Sequence, residues 1–197
     1  MKVYKSVGDG VRPLRLFVGG VHGRECRTTK PIFEKLVKLR GPRRGSAVVV
    51  PCLYMGRYIS TLDPGYLNSK AGRRLIRLVE RLRPDIYVEL HCYKPSSYQN
   101  LVSPCRFVLK GVPPLVELEQ GVLIGLISPV LMSKLKLKTP IIVETPCGRL
   151  DNLKVAVRVL KTFIDTHSVQ EALDELKEKY PEQMGRVLRL YGKWIFS

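Results

Sequence analysis

Short runs of Val, Ile and Leu, several of them apolar at nearly every position, alternate along this chain with helical patterns, and that alternation constrains the fold more than any other feature. Runs at residues 14–18, 47–50, 86–90, 106–109 and 141–143 read as strands. A strand without a polar face has to be covered on both sides. Thr28 or Thr29 can cap a helix with Pro31 in its first turn, an apolar face of Ile32, Phe33, Leu36 and Val37, and Gly41 past its end. A second helix starts near Asn68 or Ser69, buries Ala71, Leu75, Ile76, Val79 and Leu82, and stops before Pro84. A third covers residues 151–165, and a last one opens on a Ser168/Glu171 capping box and ends at Tyr180, before Pro181. The expected fold is α/β, a three-layer sandwich with a mainly parallel or mixed sheet flanked by helices. Residues 110–138 fit an apolar helix or a strand pair equally well.

A chain of 197 residues that is 45% hydrophobic reads as one domain, residues 1–197, with a substantial core. No apolar stretch approaches the ~20 residues of a membrane span, and no apolar run follows the charged N-terminal residues as in a secretory leader. The expectation is a soluble cytoplasmic protein with no membrane partner. Five widely spaced cysteines without a C-x-x-C pair argue against a disulfide framework, so reduced thiols are expected. Cys26, Cys92 and Cys147 nevertheless sit close in sequence to candidate site residues and can line the site's walls. The net charge of +17 attracts anions. Its arginines and lysines are dispersed and accompany no nucleic-acid module motif, so a nucleic-acid partner is possible but not favoured over a small anionic amide or peptide.

The residues that can do chemistry lie at strand ends. Gly19-Gly20-Val21-His22-Gly23-Arg24-Glu25 places an imidazole and a carboxylate three positions apart after glycines that permit a sharp turn. His91 closes a second apolar run, and His22, Glu25 and His91 together form a two-nitrogen, one-oxygen set suited to zinc with a fourth position open. Hydrolysis at such a site also needs a proton carrier. Glu144 ends a third apolar run, before Pro146, where burial would raise its pKa into a useful range. His167, beside the Ser168 cap, reads as a solvated linker residue. The tail at residues 192–197 is aromatic and apolar, and docking on its own core is the expected outcome.

In chain order, His22-Gly23-Arg24-Glu25, Val88-Glu89-Leu90-His91 and Val143-Glu144-Thr145-Pro146 resemble the H-G-x-E, distal histidine and catalytic glutamate motifs of the zinc carboxypeptidase superfamily, nearest its succinylglutamate desuccinylase and aspartoacylase branch. The resemblance covers residues 14–148 and implies a short, single-domain relative that lacks the C-terminal domain of the aspartoacylase branch. It implies Zn2+ held by His22, Glu25 and His91, Glu144 as general base and then general acid, and amide hydrolysis. Arg57 resembles the arginine that polarises the scissile carbonyl, and Asn68 resembles the asparagine of a substrate-binding Asn-Arg pair. Ser69 stands where that pair's arginine is expected, and Arg73 or Arg74 can supply the missing charge. The rival reading is a non-catalytic member of the fold that binds an acidic ligand or nucleic acid through its basic surface. The oligomeric state is not legible.

Overall fold

The computed structural model describes residues 2–148 and 151–195. One sheet organises the molecule, built from β1 (Tyr4–Val7), β2 (Asp9–Gly19), β3 (Arg44–Val50), β4 (Ile86–Tyr93), β5 (Val116–Glu119), β6 (Val122–Leu126) and β7 (Ile141–Pro146) in the order β1-β3-β2-β4-β7-β6-β5. Its centre is parallel, β3-β2-β4-β7, and its flanks are antiparallel, which makes the sheet mixed. The longer helices are α1 (Cys26–Leu36), α2 (Lys70–Leu82), α6 (Leu153–Asp165), α7 (Val169–Lys179) and α8 (Pro181–Ile195). Three short α-helices, α3 (Tyr98–Val102), α4 (Arg106–Lys110) and α5 (Pro129–Leu135), accompany them among the described residues.

The central strands are covered on both faces, as their composition requires. Phe17, Val88, Leu90 and Val143 pack with residues of α1, α6, α7 and α8 in one core cluster, while Leu16, Val18, Tyr87 and Ile142 pack with residues of α2 and α5 in the other. The connection through α1 runs outward from β2 to β3, and the one through α2 returns across β2 to β4 on the opposite face. The two crossovers therefore diverge beside the carboxyl ends of β2 and β4, and a crevice opens where they part.

Local signals explain the helix starts. Ser69 accepts a hydrogen bond from Gly72 N and Ser168 one from Glu171 N, so both act as N-caps. The Glu171 carboxylate returns to the His167 amide at 2.7 Å rather than to that of Ser168.

Several expectations need correction. Residues 106–109 form α4 and not a strand: this segment is not a sheet element, and Phe107, Val108 and Leu109 are exposed rather than sandwiched. Pro31 lies in the interior of α1, which starts at Cys26, ahead of the expected threonine caps. The helix capped by Ser168 ends at Tyr180 as expected, but it is not the last one: proline is tolerated at a first helical position, and α8 begins at Pro181. Residues 110–138 contain both the strand pair and a helix. Most of the tail belongs to α8, whose Ile195 packs against the core, while Phe196 and Ser197 lie outside the described residues.

The cysteines are not all reduced. Cys26 bonds Cys52 and Cys92 bonds Cys147, leaving Cys105 free. Sequence spacing hid both pairs because they join the carboxyl-terminal ends of neighbouring strands or the segments just beyond them, β2 with β3 and β4 with β7, where Cα atoms 26 and 55 residues apart come within 5.1 and 4.9 Å.

Candidate metal centre

The carboxyl ends of β2, β4 and β7 supply the site. After β2 the backbone turns at Gly20 and Gly23, with φ of +59° and +62°, a left-handed conformation that glycine adopts without strain. At Gly20 space also demands glycine, since a Cβ there would lie 2.3 Å from Cys26 Sγ. This turn aims His22 back at the strand ends and sets Glu25 just before α1, where the positive end of the helix dipole favours a carboxylate.

On β4, Tyr87, Glu89 and His91 occupy alternate positions and therefore share one face. All three are buried, and they form a chain of hydrogen bonds: Tyr87 OH donates to Glu89 Oε1 at 2.6 Å, and His91 Nε2–H donates to Glu89 Oε2 at 2.8 Å. The other ring nitrogen, His91 Nδ1, faces Glu25 Oε1 at 3.3 Å, and His22 Nδ1 lies 3.4 Å from that same oxygen. Glu144 stands directly across from His91 in the parallel β4–β7 register. Tyr58 meets the His22 ring edge-on, with centroids 4.6 Å apart.

Burial and charge set the protonation states. Burial lowers the His22 pKa to about 4, leaving its imidazole neutral at pH 7. Burial alone would raise Glu25, but the charge and hydrogen bond of His91, helped by His22, hold its carboxyl below the usual range. Burial would likewise lower His91, yet Glu25 and Glu89 outweigh it and hold its pKa well above the ordinary value. Burial pushes Glu144 up to about 7, against smaller opposing pulls from His91 and Arg106.

These residues fit a small divalent cation. The donor atoms of His22, Glu25 and His91 lie within 4.8 Å of one another. The two measured separations, 3.3 and 3.4 Å, match the spacing of about 3.3 Å between ligand atoms on a tetrahedral zinc with bonds near 2.0–2.1 Å. His22 Nδ1 and Glu25 Oε2 are buried without a hydrogen-bond partner, which is costly unless an ion satisfies them.

The centre opens into a chamber of about 1010 Å³. Arg24, Arg57, Lys94, Arg106 and Lys110 line it against two carboxylates, Glu25 and Glu144, so its field favours an anion. Leu101, Val112, Leu126, Ile127 and Ile142 give it an apolar wall. Cys92 and Cys147 border it as one of the disulfides. Of the residues expected from sequence, the structure brings His22, Glu25, His91, Glu144 and Arg57 to this chamber. It does not bring Asn68, Arg73 or Arg74, which are exposed and absent from the lining. Arg73 hydrogen-bonds the Asn68 carbonyl and Arg74 reaches that of Leu53, while Ser69, at the position of the expected arginine, is spent on capping α2.

Sequence reasoning missed Glu89, Arg106 and Tyr58. The signal for Glu89 was present: polar residues at 87, 89 and 91 of an otherwise apolar strand fall on a single face. Arg106 was hidden by reading its segment as a strand. Nothing local distinguishes Tyr58.

Residues 10–196 match the family described as "Uncharacterized protein conserved in archaea (DUF2119)". The chain belongs to this family. It is 34% identical over 189 residues to the protein MJ0501 of Methanocaldococcus jannaschii, covering 93% of this chain and 91% of that one. Among solved structures, an aspartoacylase family protein from Mesorhizobium loti is similar at a TM-score of 0.46 and 17% identity, covering 79% of this chain and 60% of that chain. The Gln46His variant of the cell shape determinant Csd4 from Helicobacter pylori is similar at a TM-score of 0.41 and 11% identity, covering 92% and 55%. This chain thus spans less than two thirds of either solved chain.

Proposed function

We propose that the chain is a zinc-dependent hydrolase that cleaves an amide bond in a small anionic substrate, of the carboxypeptidase or N-acyl amino acid deacylase type, with the cytoplasm as its expected setting. The observation that carries this reading is the convergence of His22 Nδ1, His91 Nδ1 and a Glu25 oxygen at metal-ligand spacing beside a carboxyl group poised near neutrality. When bound, zinc would acidify a water molecule and polarise the scissile carbonyl. Glu144, ionised in part of the population at pH 7, accepts a proton from the attacking water and returns it to the leaving amine. Glu89 holds the Nε2–H of His91, which fixes the ring and leaves Nδ1 for the ion. Arg57 and Arg106 draw the anionic substrate into the chamber and oppose negative charge developing on the carbonyl oxygen.

The test is metal analysis of the purified protein together with hydrolysis of a panel of N-acyl amino acids and short peptides. Stoichiometric zinc that is lost in His22→Ala and His91→Ala, with turnover of one panel member falling at least 100-fold in Glu144→Gln, supports the reading. Absence of zinc, or turnover indifferent to Glu144→Gln, removes it. One observation favours the rival: Asn68, Arg73 and Arg74 lie outside the chamber, so carboxylate recognition of the usual kind is not assembled. A chain that binds zinc and retains small anions, yet turns over no member of the panel, would be a non-catalytic binder of an acidic ligand.

A further inference from the structure

The apolar surface of this molecule is unevenly distributed. Three consecutive side chains on α4, Phe107, Val108 and Leu109, are 53%, 85% and 73% exposed, whereas the other exposed large apolar side chains among the described residues, such as Val7, Val11, Met55 and Val130, stand singly in the sequence. Phe107 borders a groove whose other wall carries Arg186, Arg189 and Lys193. Spaced three and four residues apart, these three cations form one stripe along α8, whose only acidic residue is Glu182 in its first turn. No carboxylate lines that groove among the described residues. The helix itself starts and ends on cations, Arg106 and Lys110, both of which face the metal chamber.

We propose that α4 and the cationic stripe of α8 form a peripheral docking surface for an anionic lipid bilayer, with the apolar cluster seated among the acyl chains and the cations at the headgroups. The charge decides against a second copy of this chain, which would bring +17 against +17. A nucleic acid would satisfy the cations and leave three aliphatic and aromatic side chains in water. An acidic protein would need a socket shaped to a protruding cluster, whereas a fluid bilayer needs none. Apolar side chains flanked by arginines and lysines are the composition that interfacial attachment uses. No described helix is long and apolar enough to cross a membrane, and attachment of this kind requires none. Attachment to a bilayer departs from the sequence expectation of no membrane partner, which rests on the lack of a spanning run and of a leader. Because α4 also carries Arg106 and Lys110, which line the chamber, docking through α4 holds the chamber beside the headgroups, although the docking itself requires neither metal nor hydrolysis.

Co-sedimentation with vesicles tests this directly, using equimolar phosphatidylglycerol and phosphatidylcholine against phosphatidylcholine alone. The parent is expected to pellet with the anionic vesicles, to stay soluble with the zwitterionic ones, and to lose at least tenfold in affinity in the double variant Val108→Asp/Leu109→Asp. The charge-matched control is Val7→Asp/Val11→Asp, on exposed positions near the opposite edge of the sheet, and it is expected to stay within threefold of the parent. The altered α4 residues are solvent-exposed, so an unchanged thermal midpoint will show that the variant is folded. Failure of the parent to pellet overturns the proposal, and so does equal loss in both double variants, which would mark adsorption by net charge alone. It is overturned equally if the α4 variant abolishes a dimer in free solution or duplex DNA binding while vesicle binding persists.

Discussion

His91 is held between two carboxylates, with Nε2 2.8 Å from Glu89 and Nδ1 3.3 Å from Glu25. The two contacts are not equivalent. Glu89 is fully engaged by His91 and by the Tyr87 hydroxyl, whereas Glu25 retains a buried oxygen without a partner. Glu89 therefore serves to orient the ring, and Glu25 is free to meet an ion. Outer hydrogen-bond partners of this kind typically contribute about 10- to 100-fold in metal affinity. Glu89→Gln is expected to weaken zinc binding by about that factor in a chelator competition, while leaving metal at saturating concentrations. An unchanged affinity would show that the ring is fixed by packing alone.

The elevated Glu144 makes a prediction about stability that needs no substrate. Its carboxyl titrates near 7 in the folded chain against an ordinary 4.5, so between those values the folded state holds a proton that the unfolded state has released. Stability accordingly falls as pH rises through this window, by about 3 kcal/mol in total. Glutamine imitates the protonated carboxyl and removes the dependence. In urea melts of metal-free protein, Glu144→Gln is expected to match the parent near pH 4.5 and to exceed it progressively, by up to about 3 kcal/mol above pH 7. A difference that stays flat across this range would mean that Glu144 is not desolvated.

Much of this architecture is written in the apolar runs, because a two-faced strand has few places to go except the interior of a three-layer sandwich. Residues 14–18, 47–50, 86–90 and 141–143 all fall within strands of the sheet, and their carboxyl ends meet at the predicted His22, Glu25, His91 and Glu144. The failures share a cause, which is that they depend on which segments become neighbours. Residues 106–109 look like a strand locally, yet lie exposed as a short helix at the rim of the chamber. Cysteine pairing depends on strand order, which spacing does not encode. Arg15 interrupts a strand that reads as apolar, and two of its three carbonyl partners, Arg44 at the start of β3 and Thr166 at the end of α6, are distant in sequence.

Arg15 is completely buried, and all three of its guanidinium nitrogens donate to backbone carbonyls. Nη1 donates to Pro13 O at 3.0 Å and to Arg44 O at 2.9 Å, and Nε donates to Thr166 O at 3.1 Å, with Nη2 on the same Thr166 oxygen. These bonds tie β2 to the start of β3 and to the end of α6. Replacing Arg15 by leucine fills part of the volume but strands three carbonyls, each at a cost of about 1–3 kcal/mol. Arg15→Leu is expected to lose at least about 3 kcal/mol in urea unfolding. Zinc affinity of the folded fraction should not change, because no donor of the metal centre touches this network.

The two disulfides bracket the metal centre in sequence, since Cys26 follows Glu25 and Cys92 follows His91. Cys26–Cys52 fastens the start of α1 to the segment after β3, and Cys92–Cys147 fastens the end of β4 to the turn after β7. Under denaturing, non-reducing conditions a thiol assay is expected to detect Cys105 alone, and after reduction all five cysteines. By loop length each bond restricts the unfolded chain by about 4 kcal/mol. Cys26→Ser/Cys52→Ser and Cys92→Ser/Cys147→Ser are therefore each expected to lower the unfolding free energy by an amount of that order, read as a fall in the urea midpoint. Because both bonds also anchor ligand-bearing segments, zinc affinity should fall together with stability in each pair of variants. If stability falls while zinc affinity holds, the bonds staple the fold only, and the turn at Gly20 together with the Glu89 contact is sufficient to hold the three ligands in place.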